Sequence, residues 1–371
     1  PVAKRQGSLE TMVTASFWNG KKVFVTGHTG FKGSWLCCAL LKFGARVTGY
    51  SLPSPTEPSL YNIIGLSPKI DEEIGDIRDY KKLETAFRTA APDIVFHLAA
   101  QPIVRESYAA PRYTYETNVM GTVNILECLR NTEGVRSFLN VTTDKVYKNN
   151  EWHWGYREID PLDGYDPYSN SKSCSELVTH SYRSSFFSAA PIAISTARAG
   201  NVIGGGDFAK DRIIPDCIRA AINKEPIIVR NPHSTRPYQH VLEPITAYMA
   251  IAEKQYKDKN LADYYNVGPD DTDCVTTGDL TQIFCDVWGE GMTWENRYSG
   301  GPHEANFLKL DCSKIKSQIS WKPKWHIKTA IEKTCEWTKA WISNKDIHNI
   351  MDRQIDDYVI NGRSLYNDDL Y

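Results

Sequence analysis

The sequence has no long hydrophobic run, no excess of charge of one sign and no paired metal-binding motif. No apolar stretch among its 371 residues approaches the length that a membrane-spanning helix needs. The net charge is −2 with neutral histidine, which provides neither a basic field for nucleic acid nor a polybasic membrane signal. These absences predict a cytoplasmic protein that has no nucleic-acid or membrane partner.

Cysteine is present, but not in the C-x-x-C motif. The nine cysteines are scattered without a C-x-x-C pair, and the nine histidines show no H-x-x-x-H or H-E-x-x-H spacing. Cys37, Cys38 and Cys128 occupy apolar positions at helical spacing. We therefore expect reduced, buried thiols rather than disulfide bonds, and no metal site.

The segment 22–36, KVFVTGHTGFKGSWL, predicts a strand, a glycine turn and a helix in immediate succession. Gly27 permits the tight turn, Gly30 leaves room for a pyrophosphate, and Gly33 lets the helix pack close to the sheet. The helix N-terminus offers N–H groups and a positive dipole end to phosphates. An ordinary turn is the alternative, but the flanking strand and helix favour dinucleotide binding.

Short β-like runs alternate with helical stretches over the first half of the chain. This alternation predicts an α/β fold, a doubly wound parallel sheet of Rossmann type, with a smaller mixed α/β lobe. The predicted strands are 23–26, 45–50, 69–75, 94–98, 138–142 and 192–198, and the predicted helices are 34–43, 83–90, 114–130, 167–187, 213–223, 244–254 and 277–287.

The length of the chain favours two lobes. We expect residues 1–16 to be a disordered extension or one added by cloning, because they are polar and lack the apolar core of a signal peptide. Residues 17–198 are predicted to form the dinucleotide-binding domain. Residues 199–371 are predicted to form mainly the substrate-binding lobe, with some segments returning to the first domain.

Polar residues follow the predicted strand 138–142. Thr143, Asp144 and Lys145 come directly after it, and Tyr168 and Lys172 lie one turn apart on the next predicted helix. An ammonium group near the phenol would lower the pKa of Tyr168 and make it a base for an alcohol proton. A Tyr-x-x-x-Lys pair is often only a helix-surface pair, but its position after the glycine turn favours catalysis.

Together these motifs resemble the extended short-chain dehydrogenases that act on nucleotide sugars, from residue 17 onward. Further matches are GDIRD (75–79), HLAA (97–100), NVMGTVN (118–124) and RAGNV (198–202). The resemblance implies that NAD contacts a set of residues drawn from several strand ends: Gly27, His28, Gly30, Phe31, Lys32, Gly33, Asp76, Ile77, Leu98, Ala99, Ala100, Tyr168 and Lys172. Asn118 is expected to order the neighbouring helix, and a turn-forming role is the alternative for Asp76.

Within that superfamily, an acid and a further proton-transfer group after the threonine are typical of the sugar 4,6-dehydratases. Most carry Thr-Asp-Glu, whereas TDKVY (143–147) and TRPYQHVLEP (235–244) resemble the branch that uses CDP-glucose. The resemblance implies a lyase that produces CDP-4-keto-6-deoxy-D-glucose for bacterial deoxysugar and surface-polysaccharide (O-antigen) synthesis. Thr143, Asp144, Lys145, Tyr168 and Lys172 would be catalytic.

Two departures from the family pattern leave alternatives open. Lys145 would be either the C5 base, if it is neutral, or a cation that stabilises an enolate. The second predicted strand ends in Tyr50 and Ser51 rather than an acidic residue, and His28 and Lys32 would tolerate a 2′-phosphate, so NADP competes with NAD. NAD is expected on family grounds.

The nucleotide sugar is expected to contact Asn201, Arg212, Arg236 and His303, since guanidinium groups suit diphosphate oxygens. The resemblance also implies a homodimer, or a higher oligomer, that pairs the helices 114–130 and 167–187. The rival interpretations are another nucleotide-sugar dehydratase, a 4-epimerase, or an NAD-binding regulator without catalysis. The base specificity rests on the resemblance alone.

Overall fold

The computed structural model describes residues 13–297 and 307–359. The strands in this part of the chain are, in order, β1 (Lys22–Thr26), β2 (Arg46–Ser51), β3 (Asp71–Ile74), β4 (Ile94–His97), β5 (Ser137–Thr143), β6 (Ala193–Ala199), β7 (Val202–Ile203), β8 (Ile227–Val229), β9 (Thr235–Arg236), β10 (Gln239–His240), β11 (Tyr264–Val267), β12 (Val275–Thr276) and β13 (Trp294–Asn296).

The α-helices alternate with these strands in the first half of the chain and predominate at its end. They are α1 (Ala15–Trp18), α2 (Phe31–Lys42), α3 (Leu60–Ile63), α4 (Tyr80–Ala90), α5 (Val104–Ala109), α6 (Pro111–Tyr115), α7 (Gly121–Arg130), α8 (Pro167–Ser185), α9 (Ile213–Asn223), α10 (Leu242–Lys257), α11 (Thr277–Trp288), α12 (Ser313–Gln318), α13 (Ile327–Ile342) and α14 (Ile347–Val359). A π-helical turn, Glu116–Met120, joins α6 to α7.

Seven strands form one parallel sheet in the order β3-β2-β1-β4-β5-β6-β11. The chain order reverses between β1 and β4, and ligands of such sheets bind at that switch point, outside the carboxyl ends of the strands. The glycine turn after β1 and the polar segment after β5 therefore lie at the same edge of the sheet. The doubly wound parallel fold predicted from the sequence is confirmed.

Both faces of the sheet are buried, as the continuous apolar runs of its strands require. In β1, Val23 and Val25 enter the core on one face, together with residues of α2 and α10, while Phe24 enters the core on the other face. A separate apolar cluster holds the smaller lobe together around Ile214, Phe284 and Ile331. The six predicted strands are present, with ends shifted by a few residues, and so are six of the seven predicted helices. The seventh, predicted for 114–130, is divided into α6 and α7 by the π-helical turn.

Two parts of the fold differ from a simple division of the chain at residue 199. β11 pairs with β6, so the central sheet includes a strand from the second half of the chain. Of the extension predicted for residues 1–16, residues 1–12 lie outside the described residues. Val13, however, is buried, and α1 begins at Ala15, so the described fold includes residues 13–16, contrary to that prediction.

The nine cysteines are free thiols, and all except Cys174 and Cys274 are buried. In the described ranges, no helix combines the length and apolar character needed to span a bilayer. The same ranges contain no cluster of three or more His, Cys, Asp or Glu side chains suited to a metal ion.

Candidate active site

The turn between β1 and α2 has little room for side chains. Gly27 adopts a φ of +79°, and a Cβ atom there would lie 2.8 Å from the Ala99 nitrogen. A Cβ atom on Gly33 would lie 2.0 Å from the Gly27 oxygen, so the close approach of α2 to the turn requires glycine. Gly30 is the N-cap of α2 and provides no side-chain cap to the first N–H groups of the helix. The turn and helix N-terminus fit a pyrophosphate.

Lys32 lies in the first turn of α2 and lines the cleft beside Tyr168. Burial, reinforced by Arg212 and Lys172, lowers the pKa of Lys32 to about 7. Phe31 lines the same cleft. Lys32 therefore faces the cleft, where it carries only part of a positive charge near neutral pH.

His28 does not take the position that the sequence predicted for it. Its side chain is fully buried, and Nε2 lies 2.9 Å from Oε2 of Glu72 in β3. Burial lowers the pKa of His28 despite the neighbouring carboxylate. The imidazole thus fixes the turn to β3, and the suggestion that His28 accommodates a 2′-phosphate is wrong for this structure.

The end of β2 contains Tyr50 where an acidic residue was expected. The Tyr50 hydroxyl donates to the Asp76 backbone oxygen at 2.9 Å, while the Asp76 carboxylate is held by the Arg78 guanidinium. Ile77 is buried against Gly121. Asp76 and Ile77 are thereby placed after β3, at the same edge as the glycine turn.

The segment after β4 is fixed by a hydroxyl from β1. Thr26 Oγ1 accepts hydrogen bonds from the Leu98 and Ala99 nitrogens, both at 3.1 Å. Ala100 follows, and the Gln101 nitrogen donates to Asn118 Oδ1 at 2.8 Å. The Asn118 amide also donates to Ser171 Oγ in α8 at 2.9 Å, so Asn118 joins this segment to α8.

Thr143, Asp144, Lys145, Tyr168 and Lys172 come together at the carboxyl end of β5. Asp166 caps α8 by accepting from the Ser169 nitrogen at 2.9 Å, which sets the first turn that carries Tyr168. The Thr143 hydroxyl lies near enough to Tyr168 to lower the pKa of the phenol, and Lys172 Nζ donates to the Val141 oxygen at 3.2 Å. Thr143, Lys145 and Tyr168 line a cleft of about 550 Å³, and Asp144 is buried beside them.

Burial dominates the acid–base properties of this group. It raises the pKa of Tyr168 to about 12 and lowers the pKa of Lys172 to about 8. The expected lowering of the phenol pKa by Lys172 is therefore not a property of the protein alone, because desolvation outweighs nearby cations. Burial also raises the pKa of Asp144, which is the direction required of a carboxyl group that donates a proton.

Sequence reasoning missed Glu176, although its position four residues after Lys172 was a usable signal. Its buried carboxylate accepts from Thr196 Oγ1 at 2.8 Å and from Arg198 Nη2 at 2.9 Å. Its negative charge also opposes the lowering of the Lys172 pKa. Glu176 thus joins α8 to β6 one helical turn after Lys172.

Cationic side chains outnumber carboxylates in the lining of the cleft, which suits a diphosphate. The cations are Lys32, Arg105, Lys145, Arg212, Arg230 and Arg236, and the carboxylates are Asp207, Asp211 and Asp216. Asn201 lines the same cleft, and Arg212 pairs with Asp207 at 3.0 Å. Arg212 also lies close enough to Tyr168 to affect its pKa. His303 lies outside the described residues.

The parallel sheet with a glycine turn, together with a Tyr-Lys pair facing Thr143, defines an extended short-chain dehydrogenase/reductase. The model of the family described as GDP-mannose 4,6 dehydratase matches residues 24–334, and the chain belongs to this family of nucleotide-sugar dehydratases.

Comparison with individual proteins agrees with this family. A CDP-glucose 4,6-dehydratase of Salmonella typhimurium is 47% identical over 94% of this chain and 99% of its own length. A probable dTDP-glucose 4,6-dehydratase of Sinorhizobium fredii is 27% identical over 85% of the chain and 92% of its own length. The crystal structure of a dTDP-glucose 4,6-dehydratase from Bacillus anthracis, in complex with NAD, has a TM-score of 0.74 at 20% identity. The match covers 88% of this chain and 99% of that one.

Proposed function

We propose that this protein is an NAD-dependent lyase that dehydrates CDP-D-glucose to CDP-4-keto-6-deoxy-D-glucose. The observation that carries the proposal is the grouping of Tyr168 and Lys172 with the Thr143-Asp144-Lys145 turn at one cleft. An oxidation at C4 needs only Tyr168, Lys172 and the hydroxyl of Thr143, whereas loss of water also needs an acid and a base. The 47% identical Salmonella relative supports CDP-glucose as the substrate.

Tyr168 is the base that removes the proton of the C4 hydroxyl, with Thr143 sharing its hydrogen bond. Lys172 lies one turn further along α8 and holds its ammonium group against the Val141 oxygen. A proton on Lys172 favours the phenolate form of Tyr168. The cavity around the phenol excludes bulk water, because Tyr168 is nine-tenths buried.

Asp144 and Lys145 act on the next bonds. The C4 ketone acidifies C5, from which Lys145 removes the proton, while Asp144 protonates the C6 hydroxyl so that it leaves as water. Burial keeps Asp144 protonated to higher pH than an exposed carboxyl group. Lys145 finally returns its proton to C5.

The cofactor would be held by the glycine turn, the first turn of α2 and the segments after β3 and β4. Bound NAD would supply a hydride acceptor for C4 and a hydride donor for C6, and it would be regenerated in each turnover. The fit rests on the close approach at Gly27 and Gly33 and on the uncapped start of α2. The burial of His28 removes one reason to prefer a 2′-phosphorylated cofactor.

We propose that residues 17–198 mainly bind the dinucleotide and that residues 199–371 mainly bind the nucleotide sugar. Arg212 and Arg236 are the candidates for the diphosphate and Asn201 for a further hydrogen bond, since all three line the cleft. We also propose a homodimer in the cytoplasm, and bacterial deoxysugar synthesis as the use of the product.

The first experiment is mass spectrometry of the products from CDP-glucose and dTDP-glucose, each deuterated at sugar C4, with NAD present. Loss of water from the CDP sugar only, with deuterium recovered at C6, is expected. Loss of water from the dTDP sugar instead would overturn the substrate but keep the reaction. No change of mass with either sugar would contradict dehydration, and product stereochemistry would then test for a 4-epimerase.

A further inference from the structure

After each turnover of the proposed dehydration, two side chains are left in a protonation state from which the next turnover cannot begin. Tyr168 gains the proton of the C4 hydroxyl, whereas Asp144 loses a proton to the C6 oxygen, which departs as water. Lys145 takes the C5 proton and returns it, so its protonation is unchanged. The next turnover therefore requires one proton to leave Tyr168 and one to reach Asp144.

A single hydroxyl lies between these two groups. Thr143 Oγ1 donates to Asp144 Oδ1 at 2.9 Å. Thr143 and Tyr168 line the same cleft, where the Thr143 hydroxyl is near enough to lower the pKa of the phenol. Thr143 is 7% exposed, Asp144 1% and Tyr168 9%, so bulk water has little access to any of the three. The other oxygen of Asp144, Oδ2, is buried and has no hydrogen-bond partner within the described residues.

We propose that Thr143 is a proton relay that resets the site by carrying the proton from Tyr168 to Asp144 after each turnover. The inference rests on the proposed function. Before a turnover, the Asp144 carboxyl donates to Thr143, and Thr143 donates to the phenolate. Afterwards the phenol donates to Thr143, and Thr143 donates to the carboxylate. This reset moves one proton along each of the two hydrogen bonds, so the three side chains together neither gain nor lose a proton.

The local structure holds the relay in place. Thr143 ends β5 and caps the following helical turn, where its hydroxyl accepts from the Lys145 nitrogen at 3.4 Å. Its β-branched side chain has restricted χ1 freedom, so the hydroxyl stays between its two partners. Burial raises the pKa of Asp144, so its carboxyl group favours the protonated state that the start of each turnover requires.

The test compares Thr143→Val, which keeps the branched shape, with Thr143→Ser, which keeps the hydroxyl. Enzyme loaded with NAD is mixed with excess CDP-glucose, and product is followed from the first turnover onward. In Thr143→Val the first turnover is also slowed, because the hydrogen bond to the C4 hydroxyl is lost. We nevertheless expect a first phase of one product per site, followed by a steady rate about a hundredfold lower than that phase, within the usual range for proton transfer. Thr143→Ser should show no burst, and added formate should speed the slow phase of Thr143→Val only.

A second readout does not depend on turnover. Ultraviolet difference absorbance of the phenolate, recorded against pH in each NAD-loaded variant, should show coupled titration of Tyr168 in wild type and Thr143→Ser but a simple titration in Thr143→Val. Equal loss of first-turnover and steady rates in Thr143→Val, with no effect of formate, would overturn the relay. Failure of the wild-type protein to release water would instead overturn the proposed function, and the relay with it.

Discussion

Tyr168 and Lys172 carry opposite charges when ionised, and burial disfavours the ionised form of each. The pKa of the phenol rises to about 12, and that of the ammonium group falls to about 8. The protein alone therefore holds Tyr168 protonated at neutral pH. Arg212 opposes this rise without reversing it, so ionisation of the phenol requires a further positive charge nearby.

Replacing Tyr168 with Phe removes the proposed base while keeping the buried ring. We expect turnover to fall by about 10²–10⁴, the usual contribution of general acid–base catalysis, with the circular dichroism spectrum unchanged. Product mass spectrometry measures the loss. Tyr165→Phe, at an exposed position three residues earlier, is the matched control and should retain activity. Full activity in Tyr168→Phe would remove the assignment.

The charge of Lys172 depends on Glu176, which raises the lysine pKa against the effect of burial. The pH profile of kcat/KM should therefore fall above about pH 8 as Lys172 loses its proton. Glu176→Gln should move this fall to lower pH, because the negative charge that retains the proton is gone. Thr196→Val, which removes a partner of Glu176 but leaves its charge, should not move it. An identical profile for Glu176→Gln contradicts the coupling.

At the scale of secondary-structure elements, two helix starts build the site by different means. α2 begins at a glycine without a side-chain cap, which leaves its N-terminal N–H groups for a phosphate. α8 is capped by Asp166, whose carboxylate accepts from both the nitrogen and the hydroxyl of Ser169. The first start is suited to bind a ligand, and the second to hold Tyr168 in place.

The substitutions Gly33→Ala and Gly30→Ala should separate an effect on packing from an effect on NAD binding. A Cβ atom at Gly33 meets the Gly27 oxygen at 2.0 Å, so Gly33→Ala should destabilise the fold by about 1–3 kcal/mol. At Gly30 the nearest protein atom is 3.4 Å away, so Gly30→Ala should unfold at nearly the wild-type temperature yet bind NAD more weakly. Thermal unfolding and calorimetric titration with NAD measure the two effects. Unchanged NAD affinity in Gly30→Ala would contradict the pyrophosphate site.

At the scale of the whole molecule, the buried Glu243 at the start of α10 ties distant segments together. Its carboxylate accepts from the Lys324 and Trp325 nitrogens, at 3.0 and 2.8 Å, and from the Tyr358 hydroxyl of α14. Burial raises the pKa of Glu243 to about 7. The network therefore connects α10, which packs on the central sheet, to the last described helix.

The raised pKa of Glu243 makes part of the free energy of unfolding depend on pH. This part is fully present below the unfolded-state pKa of about 4.5 and is lost as pH rises through about 7, an effect on the order of 3 kcal/mol. Glu243→Gln should flatten this dependence, as measured by urea unfolding at pH 5 and pH 8. Tyr358→Phe, which removes a donor that lowers the Glu243 pKa, should move the window to higher pH. Equal slopes for wild type and Glu243→Gln would refute the assignment.

The proposed homodimer predicts a specific surface. Leu177 on α8 and Met120 before α7 are about half exposed on the two helices expected to pair. Leu177→Glu should therefore convert dimers to monomers, as measured by light scattering during gel filtration. Ile222→Glu, at an exposed apolar position on α9, is the control. A wild-type monomer, or a Leu177→Glu dimer, would show that these helices do not pair.

The sequence by itself determined the features that depend on neighbouring residues. The glycine turn, the alternation of strands and helices, and the Tyr168–Lys172 spacing follow from local geometry, because each needs only a few consecutive residues. The parallel pairing of the central strands could be expected from this alternation. The family resemblance added the catalytic interpretation of Thr143, Asp144 and Lys145.

Only the tertiary structure decided features that depend on contacts between distant segments. β11 joins β6, and Glu72 holds His28 in the core. The raised pKa of Tyr168 also belongs here, because desolvation depends on everything packed around the phenol and not on its neighbour Lys172 alone. Spacing along the chain thus specifies which groups share a helix face, whereas burial decides which of them carry charge.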